Sequence, residues 1–239
     1  MSLRWNEYTS LPGSAAQATT LVFSQLLSEE CITASLMDMM FSHLSERVEQ
    51  NTTLDSLVII ETLRFMHDIN KATSKADHAK PLTPFLKRLE DRIRSNKSDI
   101  LIFPAFLESA KHWLAFKIDF KHGELSYGEL QRNNDNMKAH KHLGDSLSHH
   151  GMTAPKEIIK KLQWWLQHRF RGTFKNCGDT LKHGLQEDGT ECGIVTPNTA
   201  AHEVFHDTLW ACDRKVLERV NWFCTLWTAH VEDVRSWSI

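Results

Sequence analysis

The segment Leu185-Gln186-Glu187-Asp188-Gly189-Thr190-Glu191-Cys192-Gly193-Ile194 holds the residue types of nucleophilic catalysis in close order. The pattern predicts a strand ending at Gln186, a turn through Asp188-Gly189, and a helix beginning at Cys192-Gly193. A thiol at that position sits in the positive end of the helix dipole, which lowers its pKa and favours the thiolate. Gln186, six residues before Cys192, carries an amide donor suited to a developing oxyanion. Further upstream, His112-Trp113 opens the run HWLAFKIDF, which puts an imidazole at a strand end. An imidazole used as a base needs a carboxylate to hold its tautomer, and Glu129 and Asp145 are the candidates.

A second constellation competes with the first. His202-Glu203-Val204-Phe205-His206 is an H-E-x-x-H string on an expected helix, the pattern in which two histidines hold zinc and the glutamate activates water, with His230 or Glu232 as a third ligand. The bland reading is chance, because the chain has 14 histidines. The string also falls inside the helix that Cys192 starts. His140, His142, His149 and His150 read as a solvated loop, since no cysteine or regular spacing supports a metal site. Trp165 has helical spacing with Ile158, Ile159 and Leu162 and reads as core.

These residues need elements to position them. Ser28-Glu29-Glu30 reads as the cap and acidic first turn of a helix through CITASLMDMMFSHL. Thr83-Pro84 opens FLKRLEDRIRSN, with proline at the first helical position, and residues 71–84 form a polar loop before it. From Asp99 the texture changes. DILIFPAF, HWLAFKIDF and GELSYGEL are β-rich runs, the last two joined by a hairpin turn at Lys121-His122-Gly123. Pro155 opens the amphipathic helix KEIIKKLQWWLQHRF, TLKHGLQ (180–186) reads as another strand, and the tail from Cys192 forms two helices broken near Asp207. Pro197 lies within the first of them and predicts a kink or an irregular first turn. Helices, then strands, then helices argue an α+β fold.

Composition sets the outer bounds. The chain has 239 residues, 41% of them hydrophobic and 24% charged, which excludes collagen-like and largely disordered classes. With 28 basic and 30 acidic residues the net charge is -2, so no nucleic-acid partner is expected. No apolar run approaches the ~20 residues of a membrane helix, and MSLRWNEYTS has no signal core, so no membrane association and an intracellular location, nuclear or cytoplasmic, are expected. Five cysteines at wide spacings, with no CxxC, fit a reduced protein rather than a disulfide framework.

At these residues the chain resembles the ubiquitin-like-protein-specific cysteine proteases, the group of the SUMO-processing (sentrin-specific) peptidases, with adenovirus endopeptidase a distant relative. The resemblance runs from about Leu27 to about Asp207. It is carried by DILIFPAF followed by HWLAFKIDF, by GDSL (144–147) followed by PKEIIKKLQWWL, and by QEDGTECG. The chain order His, acid, Cys agrees, and the GDSL…LQWWL wording is most similar to an expanded fungal branch.

The resemblance implies one protease domain over 1–239. A helical N-terminal lobe (about 1–98) would pack on a mixed sheet and catalytic lobe (about 99–239), with a central helix starting at the nucleophile, as in papain-like proteases of the adenovirus-endopeptidase type. Cys192 would be the nucleophile, His112 the base, Gln186 the oxyanion donor, and Trp113 a wall of the channel admitting a C-terminal Gly-Gly. The orienting acid departs from the pattern. Glu129 fits by lying 17 residues after His112, whereas Asp145 fits the GDSL wording and lies 41 residues before Gln186. Both fit if residues 129–144 are an insertion, and Asp145 is the narrowly favoured choice because its flanks match as well. The implied partner is SUMO or another ubiquitin-like modifier and its conjugates, with no cofactor and no metal. The alternatives are an acyltransferase using the same site, an inactive modifier-binding module, and the H-E-x-x-H zinc protease.

Overall fold

The computed structural model describes residues 18–73, 83–96, 98–128, 155–186 and 189–236. Its elements in chain order are a 3-10 helix (Thr20–Leu27), α1 (Ala34–Glu49), α2 (Thr52–Leu57), β1 (Val58–Ile60), α3 (Leu63–Thr73), α4 (Pro84–Asn96), β2 (Ile100–Leu107), β3 (His112–Asp119), β4 (Glu124–Gly128), α5 (Lys156–Phe170), β5 (Lys175–Asp179), α6 (Cys192–Phe205), a short 3-10 turn (Cys212–Arg214) and α7 (Lys215–Ser236). The α+β class expected from the sequence is what the chain adopts.

The strands form one sheet in the order β1-β2-β3-β4-β5. β2, β3 and β4 are an antiparallel meander, while β1 and β5 add parallel strands at the two edges. The β3–β4 turn closes at Gly123, whose φ of 66° suits a residue without a Cβ. The alternating side chains of the strands then serve two cores. Leu101, Phe103, Ala105, Leu114 and Phe116 face a cluster built with α3, α4 and α5, whereas Ile102 and Trp113 face α1, α6 and α7.

Local signals explain most of this. The Thr83 hydroxyl accepts the Leu86 N–H at 3.3 Å, capping α4 one residue ahead of Pro84. Helix α5 buries Ile158, Ile159, Leu162, Trp165 and Leu166 on one stripe and ends at Arg171 in the left-handed region.

Three expectations fail, each for a tertiary reason. Residues 28–33 are not helical, and α1 begins only at Ala34. The carbonyls of Ser28 and Glu30, which a helix would have used internally, accept instead from the Arg219 guanidinium of α7 at 2.8 and 3.0 Å, as does that of Gln25 before them at 2.8 Å. Residues 180–186 are not a strand; the strand is Lys175–Asp179. The segment after it turns away, its Thr180 and Leu181 N–H groups both donating to the Tyr127 carbonyl, and Gly184 packs on the Trp210 backbone so tightly that a Cβ would lie 2.2 Å from its oxygen. Val58–Ile60, which a helix-dominated first hundred residues would absorb, is a buried edge strand.

Candidate active site

Cys192 is the first residue of α6, and every residue from Cys192 to Ala201 is buried. Such a helix must pack on all sides, which explains its run of small and moderately polar residues, Thr196, Asn198, Thr199 and Ala200 among them. Thr199 returns its hydroxyl to the Val195 carbonyl at 2.9 Å. The helix continues through Pro197. It stops at His206, which adopts a φ of 60°. Asn198 fixes the exit: its amide donates to the Thr208 carbonyl at 2.9 Å and accepts the Trp210 N–H at 2.6 Å. That is the break expected near Asp207.

The backbone N–H groups of Trp113, Gly193 and Cys192 itself favour the Cys192 thiolate, as the helix-start argument requires. Burial outweighs them, and the thiol is held above its ordinary pKa. This corrects the expectation that the helix dipole alone depresses it: the thiol of a residue only 3% exposed loses more hydration than a helix end returns. A thiolate here needs a proton acceptor at hand.

His112 supplies the adjacent position. It is the first residue of β3, paired with Leu107 of β2, and it is buried. The backbone of its neighbour Trp113 favours the Cys192 thiolate, and β3 packs against α6, so the two loci come together there. The Trp113 indole is largely covered, donating to the Ile32 carbonyl at 3.1 Å with its ring 4.6 Å from that of Phe106. Gln186 is buried at the end of the segment after β5. Glu129 and Asp145 both lie outside the described residues, as do His140, His142, His149 and His150. The described chain leaves β4 at Gly128, paired with Ala115 in a strand antiparallel to the one His112 begins, and resumes at Pro155.

No local pattern marks the side chains that hold these loops. Arg219, 4% exposed, donates to the carbonyls of Gln25, Ser28 and Glu30 and also to that of Thr190 at 3.4 Å. One guanidinium therefore ties the segment before α1 to the loop before Cys192. Glu191, immediately before Cys192, is buried with Lys215 Nζ 3.6 Å from its carboxylate. Both partners come from α7, where nothing in the sequence pattern distinguishes one arginine or lysine from another. Gly193 matters for space: a Cβ there would stand 2.3 Å from Ile32 Cβ.

The H-E-x-x-H residues are arranged for other purposes. His206 is the cap beyond the helix end, so it does not share a helical face with His202. His202 Nδ1 pairs with the Asp207 carbonyl at 2.7 Å, and Glu203 is bonded to Lys117 Nζ at 2.6 Å. The described residues include no group of three or more His, Cys, Asp or Glu side chains able to hold a metal ion. Among the described residues no helix is long and apolar enough to cross a membrane.

No protein-family model and no curated protein matches the chain. Solved structures do. The chain is similar to a structure described as SUMO protease Ulp1 with the catalytic cysteine oxidized to a sulfenic acid, with a TM-score of 0.60 at 14% identity over 89% of this chain and 84% of that one. It is similar to the C-terminal Ulp1 protease domain in complex with Smt3, the yeast ortholog of SUMO, with a TM-score of 0.54 at 16% identity over 94% and 89%. A third is the catalytic domain of the Ulp1-like SUMO protease of Chaetomium thermophilum, with a TM-score of 0.50 at 12% identity over 94% and 76%. The chain thus has the fold of the Ulp1-like SUMO proteases.

Proposed function

We propose that this protein is a cysteine-type peptidase that hydrolyses the peptide or isopeptide bond after the C-terminal Gly-Gly of SUMO or a related ubiquitin-like modifier. The observation that carries the reading is the packing of α6 on β3, which buries Cys192 beside the Trp113 backbone and joins the His-Trp and Cys-Gly motifs in a Ulp1-type fold. In this scheme His112 takes the Cys192 proton, which burial otherwise retains, and the sulfur attacks the glycyl carbonyl. Gln186 and a backbone N–H hold the oxyanion; the amine leaves with the proton from His112, and water hydrolyses the thioester. Trp113 walls the channel for the two glycines. No cofactor enters the scheme. SUMO-type C-terminal propargylamide should label the wild-type chain at Cys192 and leave Cys192→Ala unlabelled. Wild-type protein that resists a full panel of modifier probes overturns the reading.

For the orienting acid we propose Glu129 ahead of Asp145, the residue that the sequence narrowly favours; both lie outside the described residues. Glu129 is the covalent neighbour of Gly128, where β4 reaches the level of Ala115 on its way toward the His112 end of β3. Sixteen further residues separate Asp145 from that point. Glu129→Gln should lower kcat by about 10²–10⁴-fold, as for a lost triad acid, with Asp145→Asn near wild type. The opposite ranking returns the role to Asp145.

A further inference from the structure

We propose that Arg219 of α7 is a positioning residue for the peptidase reaction: its guanidinium clasps the segment leading to Ile32 onto the loop leading to Cys192, and so sets the gap between the Trp113 wall and the nucleophile. This rests on the roles given to Cys192 and Trp113 above. Helix α7 lies beyond Asp207, where the sequence resemblance stops, so that resemblance assigns it no part in catalysis.

The two terminal nitrogens of the guanidinium divide the task. Nη1 donates to the carbonyls of Gln25 and Ser28, both at 2.8 Å. Nη2 donates to the Glu30 carbonyl at 3.0 Å and, across the gap, to the Thr190 carbonyl at 3.4 Å. Four carbonyl oxygens from two segments far apart in the chain therefore converge on one cation. Carbonyl dipoles aimed at one place repel one another, and Arg219 is only 4% exposed, so the cation rather than solvent holds them together. Lys215, one turn earlier on α7, adds a second hold on the same loop, its Nζ 3.6 Å from the buried Glu191 carboxylate. A lysine could not replace the arginine fork. Its ammonium places every donor on one nitrogen, whereas the four carbonyls are shared between two.

Each clasped segment ends on a part of the site. After Glu30 the chain reaches Ile32, whose carbonyl accepts the Trp113 indole N–H at 3.1 Å and whose Cβ lies 2.3 Å from where a Cβ on Gly193 would be. After Thr190 it reaches Glu191, whose carbonyl accepts the Ile194 and Val195 N–H groups at 2.8 and 3.0 Å as α6 begins. The N–H of a trans peptide points opposite its carbonyl. Because the Glu191 carbonyl is turned into the helix, the Cys192 N–H points out of its start, where it can serve as the backbone donor to the oxyanion. A shift of either segment thus moves the indole or that N–H relative to the sulfur.

In the full chain, assayed on SUMO carrying a C-terminal fluorogenic amide, Arg219→Lys should lower kcat about 10–100-fold and change KM far less, as for a displaced catalytic geometry. Arg214→Lys, which alters the arginine paired with Glu218 at 2.8 Å just before α7, should behave as wild type. Arg219→Ala should regain part of its kcat on adding guanidinium chloride below denaturing concentration, and none with equal sodium chloride, a response that lost packing alone does not give. Hydrogen exchange, which needs no modifier, should quicken in residues 25–33 and 190–194 together while β3 and α5 stay protected. A kcat for Arg219→Lys equal to wild type overturns the proposal, as does faster exchange in only one of the two segments. If Arg219→Ala does not fold, Arg219→Lys and its exchange pattern decide. Failure of the Gly-Gly protease reading shows separately, as a wild-type chain that no modifier probe labels at Cys192, and the exchange result still decides the clasp.

Discussion

The two faces of the sheet are built differently. On the α3–α4–α5 face the core is aromatic: Phe65 meets Phe103 at 4.5 Å and Trp165 at 5.2 Å, and Phe103 stacks on Phe116 at 5.7 Å. Of its buried carboxylates, Glu90 is engaged by Arg169 and by the Trp165 indole N–H, and Asp68 accepts the Thr83 hydroxyl at 2.7 Å. On the α1–α6–α7 face Phe23, Phe41, Trp113 and Trp210 are buried too, but they share the core with Met37, Met39 and Met40, a helix of small residues, and buried polar groups such as Glu191, Arg219 and Thr199. Packed apolar side chains dominate the first side. The other side holds the thiol, its neighbouring histidine and the carbonyl-bound arginine, each of which burial alone would disfavour. Stability and chemistry are thus divided across one sheet.

The largest effect that could break this division is on the aromatic face. Trp165→Ala should cost about 3–5 kcal/mol, from lost ring burial and the exposed end of the Glu90–Arg169 pair. Chemical denaturation would measure it. If the faces are separate, turnover per folded molecule stays at the wild-type level, and a parallel fall in kcat would show that the aromatic core positions the site.

Glu61 tests the edge where the faces meet, its N–H donating to the Ile102 carbonyl just beyond β1. Burial, opposed in part by Arg92, raises its carboxyl from 4.5 to about 7. Below the lower value both folded and unfolded chains hold the proton. As pH rises from there to about 7 the unfolded chain releases it first, so stability falls by roughly 3 kcal/mol and then levels. Glu61→Gln should flatten that slope, seen as a gain in denaturation midpoint at pH 8 that vanishes near pH 4. An unchanged slope would remove Glu61 from the account.

The smallest expected change in stability falls on the chemical face and should disturb activity most for its size. Gly193→Ala forces a Cβ into Ile32 at 2.3 Å and should cost about 1–3 kcal/mol. The strain is relieved only by moving the Cys31–Thr33 segment or the start of α6, so kcat/KM toward a modifier substrate should fall while the remaining fold melts cooperatively. Activity matching the wild type would mean that Ile32 yields freely.

How much of this was legible depended on the reach of each signal. The Thr83-Pro84 start, the α5 stripe with Trp165 inside it, and the hairpin at Gly123 were all readable, because each is decided within a few residues. So was the Cys192 helix start. The direction of the Cys192 pKa was not, since desolvation is set by what surrounds the sulfur and not by what precedes it in the chain. The unwound 28–33 segment was equally hidden: its cause is Arg219, about 190 residues away, and a Ser-Glu-Glu cap pattern carries no trace of that partner.

By itself, then, the sequence determined the periodic elements, the α+β order and the spacing of His112, Gln186 and Cys192, because helix and strand periodicity and turn chemistry are local. Tertiary structure alone decided which carbonyls Arg219 takes, that Val58–Ile60 completes the sheet edge, that α6 ends at Phe205 with Asn198 clasping the chain beyond it, and that α6 packs on β3 with Cys192 buried. Each of these is a contact between segments far apart in the chain, whose energy exists only once the two sides of the sheet have closed around them.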